Sequence, residues 1–331
     1  MRAVTTVGDG TIEVREHPDP TPGPGEVLVR VAGAGVNRAD LLQRAGFYPA
    51  PPGSPPDIPG MEFAGTVVEL GDGVERPAVG SAVFGVVGGG AQAEMVVVPA
   101  GQCATVPAGL DLTAMGGVPE AFVTAHDAMC TQAYAGAGDW VLIHAVGSGV
   151  GTAALQLAKA IGARVIGTSR SGEKLEQCRP LGLDHGIVPP VLSDGSLDVT
   201  TLAAEITRLT GDGIDVVLDL VTGAYVDANV AAAAPGGRIV LIGTLAGGSA
   251  TLQILTVMQR RLRLFGTVLR TRTTAEKAAA TDLFSRDVVP FLADGTIAPV
   301  IDAVMPLAEA SDAYDRLASD TTFGKIILST D

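Results

Sequence analysis

Apolar and polar positions change their spacing repeatedly between residues 139 and 168, and each change predicts an element. Residues 139–144 are almost continuously apolar, as in a buried strand, and residues 145–151 are rich in glycine. Residues 152–161 place apolar side chains at helical spacing, and residues 162–168 return to a strand-like run. The pattern therefore predicts a strand, a glycine turn, a helix and a second strand in succession.

This order of elements is the context that a dinucleotide site requires. Glycine lets the backbone approach a pyrophosphate, and the start of a helix offers N–H groups at the positive end of its dipole. A glycine turn without a ligand is the alternative, and the position of this turn between a strand and a helix argues against it. We therefore expect a nucleotide cofactor.

The end of the second strand bears on which cofactor is bound. NAD-binding units usually place Asp or Glu there, to accept a hydrogen bond from the ribose 2′-hydroxyl. This chain has Ser169 and Arg170 at that point, with Lys174 four residues after Arg170. Such residues can bind a 2′-phosphate through charge-assisted hydrogen bonds, which favours NADPH over NADH. The alternative is a solvated helix start in which Lys174 pairs with an acid.

The alternation of strands and helices continues beyond this unit. Helical patterns cover residues 197–209 and 225–234, and strand patterns cover residues 214–220, 237–243 and 263–268. Such alternation predicts a doubly wound parallel sheet. Gly236, Gly237 and Gly243 fall at strand edges, where ligands bind in such sheets, although turn chemistry alone also explains them.

The first 107 residues are β-rich instead. Valine-punctuated runs at residues 26–36, 65–70, 82–87 and 93–98 are separated by Gly and Pro. This spacing predicts a small barrel or sandwich. The proline-rich residues 49–59 fit neither a helix nor a central strand, so we expect a stiff surface loop there.

The tail from residue 273 shows two helix-like stretches and two short strands. Thr273 and Glu276 form a capping box before a helix, and residues 326–328 resemble a strand that needs a partner sheet. We infer that the tail returns to complete the N-terminal domain. The expected fold class is α/β, with a β-barrel domain over residues 1–122 and 269–331 and a doubly wound domain over residues 123–268.

Composition narrows the partners. The 331 residues carry a net charge of −14, which argues against nucleic acid or an anionic membrane as the main partner. Aromatic residues make up only 4%, which disfavours base-stacking surfaces. The sequence shows no signal-peptide pattern and no run of about twenty apolar residues, so we expect a cytoplasmic protein without membrane spans.

Cysteine and histidine positions give no sign of a metal. The three cysteines (Cys103, Cys130 and Cys178) match neither a disulfide framework nor a zinc ribbon, so we expect reduced thiols. The four histidines (His17, His126, His144 and His185) lie far apart in sequence without ligand spacing. Each is better explained as a structural histidine, and we expect no bound metal.

Several short segments together carry a resemblance to a known family. They are residues 35–40 (GVNRAD), 46–53 (GFYPAPPG), 59–65 (PGMEFAG), 141–145 (VLIHA), 149–151 (GVG) and 324–328 (GKIIL). Over essentially its whole length the chain resembles the medium-chain dehydrogenase/reductase superfamily. Within it, the chain is similar to the zinc-free quinone oxidoreductases of the zeta-crystallin type, in particular the subgroup inducible by a tumour suppressor. The resemblance implies a GroES-like barrel domain, a Rossmann domain that binds NADPH, and a homodimer.

The resemblance also bears on zinc. Zinc-dependent relatives place a Cys near Asn37 and a His where this chain has Met61. An amide and a thioether cannot make that site, and Glu62 alone is no ligand set. The four-cysteine structural lobe of such relatives is missing as well.

Residue roles follow from the resemblance. Asn37, Asp40 and Tyr48 would line the pocket near the nicotinamide as the catalytic set. The implied cofactor contacts are Thr124; Ser148, Gly149, Val150 and Gly151 at the pyrophosphate; Ser169, Arg170 and Lys174 at the 2′-phosphate; Leu220 and Val221 at the adenosine; Gly243, Thr244, Leu245, Thr267, Val268 and Leu269 around the nicotinamide and its ribose; and Lys325. From the residues alone, Asp40 also fits a helix cap, Asn37 a turn and Tyr48 a packing residue.

Two departures from the family pattern weaken parts of this picture. Val188, Pro189 and Pro190 stand where relatives often have Asn-Tyr-Lys or Asn-Tyr-Arg, so one 2′-phosphate contact is lost. Leu42 stands where some relatives carry a second pocket tyrosine, which leaves a less polar pocket.

The implied reaction is reduction of a quinone by NADPH without zinc. Tyr48, or a water held by Asn37 and Asp40, would hydrogen-bond or protonate the acceptor oxygen. Two alternatives remain: an enoyl or enone reductase that reduces a C=C bond, and a non-catalytic, crystallin-like NADPH-binding protein. The homodimer would pair through the strand edge at residues 263–268, unless Arg260, Arg261 and Arg263 keep that edge solvated.

Overall fold

The computed structural model describes residues 1–8 and 10–330. Within them the strands are β1 (Arg2–Thr6), β2 (Ile12–Glu16), β3 (Glu26–Val36), β4 (Glu62–Leu70), β5 (Ala82–Val86), β6 (Met95–Pro99), β7 (Cys103–Thr105), β8 (Trp140–Ile143), β9 (Arg164–Thr168), β10 (His185–Ile187), β11 (Ile214–Asp219), β12 (Ala233–Leu241), β13 (Arg263–Gly266), β14 (Ile301–Pro306) and β15 (Lys325–Ser329). The α-helices are α1 (Arg38–Arg44), α2 (Leu112–Met115), α3 (Pro119–His126), α4 (Gly149–Ala160), α5 (Gly172–Cys178), α6 (Val199–Thr210), α7 (Tyr225–Ala232), α8 (Ile254–Arg260), α9 (Thr274–Asp287), α10 (Val289–Ala293) and α11 (Ala310–Ala318). Short 3₁₀ turns cover Ala100–Gln102, Arg179–Leu181 and Leu307–Glu309, and a π-helical segment covers Asp127–Gln132.

The chain divides into two compact units. The first unit comprises Met1–Thr124 and Leu269–Asp331, and the second comprises Ala125–Val268. The first unit is built on a mixed sheet with the strand order β14-β15-β3-β4-β5-β7, in which β6 also pairs with β3. Strands β1 and β2 form a separate antiparallel pair.

Strand β3 organises the sheet of the first unit because three other strands pair with it. Residues 26–30 pair with β6, residues 33–36 pair with β15, and β4 pairs along most of its length. Its valines alternate toward one face, and Val27, Val29 and Val31 are buried in the barrel core. This period of two is the physical basis of the valine pattern in the sequence.

The C-terminal strand β15 has the partner sheet that its apolar pattern predicts. It pairs antiparallel with β3 and parallel with β14. Helix α11 packs Tyr314 and Leu317 against Ile326 and Leu328 of this strand. The capping box at Thr273 and Glu276 is also present, and it begins α9.

The second unit contains one parallel sheet. Its strand order is β10-β9-β8-β11-β12-β13, and every neighbouring pair is parallel. Leu142, Ile166, Val217 and Ile239 lie in one core cluster and are fully buried. Continuous burial of this kind explains why these strands appear as apolar runs rather than as alternating patterns.

The parallel arrangement brings the carboxyl ends of all these strands to one edge. The strand order reverses at β8, because the chain continues to β9 on one side of it and returns to β11 on the other. Open parallel sheets bind ligands outside the carboxyl ends at such a switch point. The predicted doubly wound sheet is confirmed. The loops after β8, β9 and β11 are therefore the candidate cofactor site.

The helices differ from the sequence prediction in two ways. Helices α1 to α3 and α8, which have four to eight residues, were not predicted from their spacing because so few turns give no recognisable period. The tail holds three helices rather than two, because α9 and α10 are separate at Val288. None of the described helices has the length and apolar character needed to cross a membrane.

Candidate functional site

The glycine turn after β8 leads directly into α4, as the sequence predicts. Ala145 takes a left-handed backbone conformation with φ of 50°, which turns the chain after the strand. Ser148 is the N-cap of α4, and its Oγ accepts a hydrogen bond from the Gly151 N–H at 3.1 Å. The first N–H groups of an α-helix have no acceptor inside the helix. The turn therefore presents backbone donors and a positive dipole end at the carboxyl edge of the sheet.

Gly151 is required by close packing rather than by an unusual backbone angle. A Cβ atom at this position would lie 2.5 Å from the carbonyl oxygen of Ala145 and 2.6 Å from that of Val146. Both are backbone atoms that cannot swing away. A side chain here would displace α4 from the turn, and the backbone N–H groups at the start of α4 would no longer be placed to bind an anion.

The loop after β9 begins α5. Ser169 Oγ accepts from the Ser171 N–H at 3.2 Å, and Ser171, the N-cap, accepts from the Lys174 N–H at 3.3 Å. Arg170 is exposed and Lys174 is partly exposed. Burial raises the pKa of Tyr225, and the Arg170 charge acts against this, so the guanidinium lies within electrostatic range of the Tyr225 ring. Tyr225, whose ring also packs edge-on against His144 with the ring centroids 4.8 Å apart, was not singled out by the sequence.

A chain of buried polar side chains connects the carboxyl ends of β8, β9 and β11. His144 has no exposed surface; its Nδ1 lies 2.8 Å from Thr168 Oγ1 and its Nε2 lies 2.7 Å from Asn229 Oδ1. Asn229 Nδ2 donates to Asp219 Oδ2 at 2.9 Å. We name His144, Thr168, Asn229 and Asp219 the His144 network.

The direction of each hydrogen bond in the His144 network follows from Asp219. A carboxylate only accepts, so the Asn229 NH₂ group faces Asp219 and its oxygen faces His144. His144 Nε2 therefore carries the proton, and Nδ1 accepts from the Thr168 hydroxyl. Burial lowers the pKa of His144, against the charge of Asp219 and the Asn229 hydrogen bond, which keeps the ring neutral. His144 thus has the structural role that the sequence predicts for each of the four histidines.

The other end of Asp219 holds the loop after β11. Its Oδ1 accepts from the N–H groups of Val221 at 2.9 Å and Thr222 at 2.7 Å. Thr222 has φ of 58° and donates its hydroxyl to the Gly247 carbonyl at 2.6 Å. A Cβ on Gly243 would lie 2.7 Å from the Leu220 carbonyl oxygen, so the loops after β11 and β12 pack closely. The predicted residues Leu220, Val221 and Gly243 are brought together here.

The remaining predicted residues of the second unit differ in their setting. Thr244 and Leu245 are exposed, as is Val268 at 49%. Thr267 is 9% exposed, and its hydroxyl lies between Gln132 Nε2 at 2.9 Å and Asp127 Oδ2 at 3.3 Å. Gln132 and Asp127 belong to the π-helical segment, a type of distortion often found at functional sites.

In the first unit, both members of a buried ion pair hydrogen-bond to Asn37. Lys325 Nζ donates to Glu62 Oε1 at 2.5 Å, to Asn37 Oδ1 at 2.6 Å and to the Val36 carbonyl at 3.3 Å. Asn37 Nδ2 donates to the same Glu62 oxygen at 2.9 Å. These acceptors use all three protons of the Lys325 ammonium. Lys325 and Glu62 are 5% and 0% exposed, so this pair sits in the protein interior.

Asp40 is buried with both carboxylate oxygens engaged. Its Oδ2 accepts from the Asn37 N–H at 2.8 Å and from Gln92 Nε2 at 3.2 Å, and its Oδ1 accepts from the Gly60 N–H at 3.3 Å. Asn37 and Asp40 form a capping box at the start of α1. Burial raises the pKa of Asp40 to about 6, against the Asn37 hydrogen bond and the charges of Lys325 and Arg270.

Tyr48 is half-buried beside Arg270. The Arg270 guanidinium lies 4.9 Å from the centroid of the Tyr48 ring, and its Nη1 donates to the Tyr48 carbonyl at 3.2 Å. Arg270 is 3% exposed and also donates to the Gly88 carbonyl and to Gln43 Oε1. Burial raises the pKa of Tyr48, the charge of Arg270 opposes this, and the charge of Glu120 adds to it.

Two buried polar atoms in the first unit have no hydrogen-bond partner among the described residues. One is Thr124 Oγ1, a predicted cofactor contact. The other is Gln43 Nε2. Because arginine only donates, the Gln43 oxygen must face Arg270, and the amide cannot be turned to satisfy its nitrogen. A buried polar group without a partner inside the protein is suited to hydrogen-bond a bound molecule.

Sequence reasoning missed Glu120, Arg270, Lys277 and Tyr225. Each stands in a stretch without a motif, and only the fold brings it beside a predicted residue. The one signal in the sequence was the charge of Arg270 and Lys277 close to the predicted contact Leu269.

Comparison with known families matches both parts of the chain. Residues 23–108 match the alcohol dehydrogenase GroES-like domain, and residues 149–286 match the zinc-binding dehydrogenase family. A mycocerosic acid synthase-like polyketide synthase of Mycobacterium tuberculosis is 33% identical over 98% of this chain, which spans only 15% of that protein. The synaptic vesicle membrane protein VAT-1 homolog of Rattus norvegicus is 30% identical over 99% of this chain and 84% of its own length.

Solved structures resemble the whole chain. Mycobacterial Rv1454c complexed with NADPH superposes with a TM-score of 0.86 at 28% identity, covering 99% of this chain and 100% of that one. A mycobacterial quinone oxidoreductase superposes with a TM-score of 0.84 at 29% identity, covering 99% of both chains.

One matching family is described as zinc-binding, so we asked whether the side chains around Glu62 could act as zinc ligands. Glu62 Oε1 already binds a lysine ammonium, and its Oε2 accepts from the Glu120 N–H at 2.8 Å. A second cation beside Lys325 would be repelled. Across residues 1–8 and 10–330, no group of three or more His, Cys, Asp or Glu is arranged to hold a metal. The residues around Asn37 and Glu62 do not fit zinc.

Proposed function

Because this chain belongs to the medium-chain dehydrogenase/reductase superfamily, as a quinone oxidoreductase-like member with a GroES-like and a Rossmann domain, we propose that it uses NADPH to reduce quinones or related electron-poor acceptors. The observation that carries this proposal is the glycine turn between β8 and α4. It offers backbone donors and a helix N-terminus at the switch point of the parallel sheet.

The chain's residues suit such a cofactor. Bound NADPH supplies a hydride. Gly149 and Val150 would bind its pyrophosphate through backbone N–H groups. Ser148 and Gly151 would lie beside it, because their N–H groups already donate to the Ala145 carbonyl and to Ser148 Oγ. Ser169, Arg170 and Lys174 would bind the 2′-phosphate. The remaining proposed contacts are Leu220 and Val221 at the adenosine, and Gly243, Thr244, Leu245, Thr267, Val268, Leu269 and Thr124 around the nicotinamide and its ribose. The unpartnered hydroxyl of Thr124 supports this last role.

The predicted catalytic residues Asn37, Asp40 and Tyr48 are proposed to have two different roles. Tyr48 is partly exposed and is the group of the set that can reach an acceptor oxygen and hydrogen-bond to it. Asp40 and Asn37 act as positioning residues, because their polar atoms already hold the start of α1 and the Lys325 ammonium. Lys325 is proposed to contribute by fixing Asn37, and any contact that it makes to the cofactor would have to displace one of its present acceptors.

NADPH oxidation in the presence of quinones and enones tests the proposal directly. Replacing Arg170 and Lys174 together by Ala removes the charges proposed to bind the 2′-phosphate, so the KM for NADPH should rise tenfold or more, roughly one lost charged hydrogen bond, while the KM for NADH stays the same. Arg179→Ala combined with Arg208→Ala, which also removes two positive charges at exposed positions of the second unit, is the control. Equal effects on both cofactors would contradict the assignment.

A second candidate function is reduction of an enone or enoyl C=C bond. It is favoured by the 33% identity to a segment of a mycobacterial polyketide synthase over nearly the whole chain. The same cofactor residues and the same oxygen-binding tyrosine serve both reactions. A preference for enones over quinones in kcat/KM selects this candidate. Tight NADPH binding without turnover of any acceptor would instead favour a non-catalytic, crystallin-like role.

A homodimer is part of the proposal. Strand β13 ends the parallel sheet and pairs only with β12 among the described strands. Helix α8, just before it, exposes Ile254, Leu255 and Met258 at 59%, 65% and 67%. An open edge beside apolar side chains suits pairing with a second copy. Light scattering should show a dimer that Leu255→Lys converts to a monomer, and a monomeric unsubstituted protein would contradict it.

A further inference from the structure

The side chain of Glu120 stands out among the acids of the first unit. Its backbone N–H donates to Glu62 at 2.8 Å, yet its carboxyl group has no hydrogen bond or ion pair with any described residue. The residue is partly exposed, at the start of α3. An acid in such a setting is partly enclosed by protein and still partly accessible.

Charged groups from several elements lie within electrostatic range of the Glu120 carboxyl group. They are Asp40 of α1, Glu62 of β4, Lys325 of β15, Arg270, and Lys277 of α9, and the phenol of Tyr48 also lies within electrostatic range. None of these groups forms an ion pair with the Glu120 carboxyl group within the described residues. Glu120 and Tyr48 therefore lie in one neighbourhood of the first unit, and neither the Glu120 carboxyl group nor the Tyr48 hydroxyl has a hydrogen bond within the described residues.

Lys277 adds a cation to this neighbourhood. It is 7% exposed, and its ammonium has no hydrogen-bond or ion-pair partner among the described residues. Burial lowers the pKa of Lys277, the charge of Glu120 raises it, and Arg270 lowers it further. A lysine in this state is placed to stabilise a negative charge that develops nearby.

The other acids of this neighbourhood are already committed. Glu62 binds Lys325 and Asn37 through one oxygen and the Glu120 N–H through the other. Asp40 has no exposed surface and accepts three hydrogen bonds. Tyr48 is a poor proton donor, because burial raises its pKa above the ordinary value of 10.0. Glu120 is the acid left with a free carboxyl group.

We propose that Glu120 is a catalytic acid, which gives its proton to the oxygen of the reduced acceptor while Tyr48 hydrogen-bonds the same oxygen. The inference rests on the proposed function. Bound NADPH would supply the hydride, so the acceptor would gain two electrons and one hydrogen and would still need one proton at its oxygen. The O–H bond of Glu120 breaks, an O–H bond forms on the acceptor, and the carboxylate left behind regains its proton from water.

The electrostatics agree with this role. Burial and the neighbouring charges of Glu62 and Asp40 raise the pKa of Glu120 to about 8, against Lys325 and Arg270. A carboxyl group with that pKa holds its proton at neutral pH and can still release it during turnover. Lys277 would stabilise the carboxylate until it is protonated again.

Glu120→Gln tests the proposal, because glutamine keeps the size and cannot release a proton. We expect kcat with the best quinone or enone to fall about 100-fold at pH 7, the low end for loss of a general acid, with an unchanged Kd for NADPH. Wild-type kcat should decline as pH rises through about 8, and this decline should be absent in the variant. Glu120→Asp should keep a pH-dependent limb. Glu75→Gln, at an exposed position of the same unit, is the control.

The outcomes separate this inference from the proposed function. If the unsubstituted protein reduces none of the acceptors, both are overturned. If it reduces them and Glu120→Gln does so equally well with the same pH profile, only the role of Glu120 is overturned. Infrared spectroscopy of the unsubstituted protein gives a second test that does not need the variant to fold. It should show a protonated carboxyl band that titrates near pH 8, and the absence of that band refutes the proposal.

Discussion

The two units each bury a polar cluster, and the clusters are built in opposite ways. In the second unit, the His144 network is neutral apart from one carboxylate, and every member has a partner at 2.7 to 2.9 Å. In the first unit, Glu62, Lys325, Asp40 and Arg270 bring several ionisable groups together around Glu120, and some polar groups of that unit have no partner among the described residues.

The difference indicates what each cluster does. A fully satisfied network holds backbone in place, and here it fixes the loops after β8, β9 and β11 where a cofactor is proposed to bind. A cluster with several charges and unengaged groups costs stability, and its pKa values are shifted. Such a cost is common where chemistry takes place. The comparison therefore assigns positioning to the second unit's cluster and reactivity to the first unit's.

The largest expected effect comes from breaking the buried pair of the first unit. Lys325→Met leaves Glu62 charged and buried without its cation, which should lower the free energy of unfolding by about 3–5 kcal/mol. Chemical denaturation measures it. Lys159→Met, at a partly exposed pair with Asp184, should cost less than about 1 kcal/mol. A small loss of unfolding free energy for Lys325→Met would mean that the Glu62–Lys325 pair is not a buried charge pair, and it would contradict the contrast between the two clusters.

The next effect tests the His144 network. Asn229→Leu leaves the His144 Nε2 proton and one Asp219 oxygen without a partner, so the free energy of unfolding should fall by about 3 kcal/mol. NADPH binding should weaken as well, because Val221 and Thr222 lose their anchored Asp219. Gln177→Leu, an amide-to-leucine change on exposed α5, is the control. Weaker unfolding stability with unchanged NADPH affinity would show that the network is structural only.

Gly151→Ala tests whether the second unit depends on backbone packing at the turn. The added Cβ would approach two backbone oxygens to 2.5 and 2.6 Å, and the resulting overpacking should cost about 2 kcal/mol and most of the NADPH affinity. At Gly136, which precedes β8, no atom lies within 4 Å of an added Cβ, so Gly136→Ala is the matched control. Calorimetric titration with NADPH measures both variants, and equal affinities would refute the role of the turn.

The last effect concerns pH and is the smallest per pH unit, at most about 1.4 kcal/mol, because it is spread over a wide pH range. It sharpens the comparison. The pKa of Glu120 rises on folding from its ordinary 4.5 to about 8, so the folded state holds a proton that the unfolded state has released between these pH values. The stability of the unsubstituted protein should therefore fall as pH rises through this window. Glu120→Gln removes this loss, so its advantage in stability should grow from pH 5 to pH 9 in denaturation experiments. A constant difference would place the Glu120 carboxyl group in water.

Local sequence determined much of the second unit. The strand, glycine turn, helix and strand at residues 139–168 are recognisable because each depends on residues close in sequence, and the observed β8, α4 and β9 follow that order. The same holds for the capping box at Thr273. For Asp40, the sequence left open a helix cap or a catalytic role, and the structure shows the cap geometry while the catalytic role stays a prediction.

Tertiary structure alone decided which groups meet in the first unit. Lys325 and Glu62 are 263 residues apart in sequence, and Arg270 meets the Tyr48 carbonyl across 222 residues. No spacing rule connects such positions, because a charge acts through space over a few ångströms and the fold decides which residues come that close. The same applies to Glu120, whose proposed acidity comes from burial and from neighbours on other elements. The sequence by itself thus determined the elements and the cofactor turn, whose hydrogen bonds are local, and the fold decided the charges that surround the proposed chemistry.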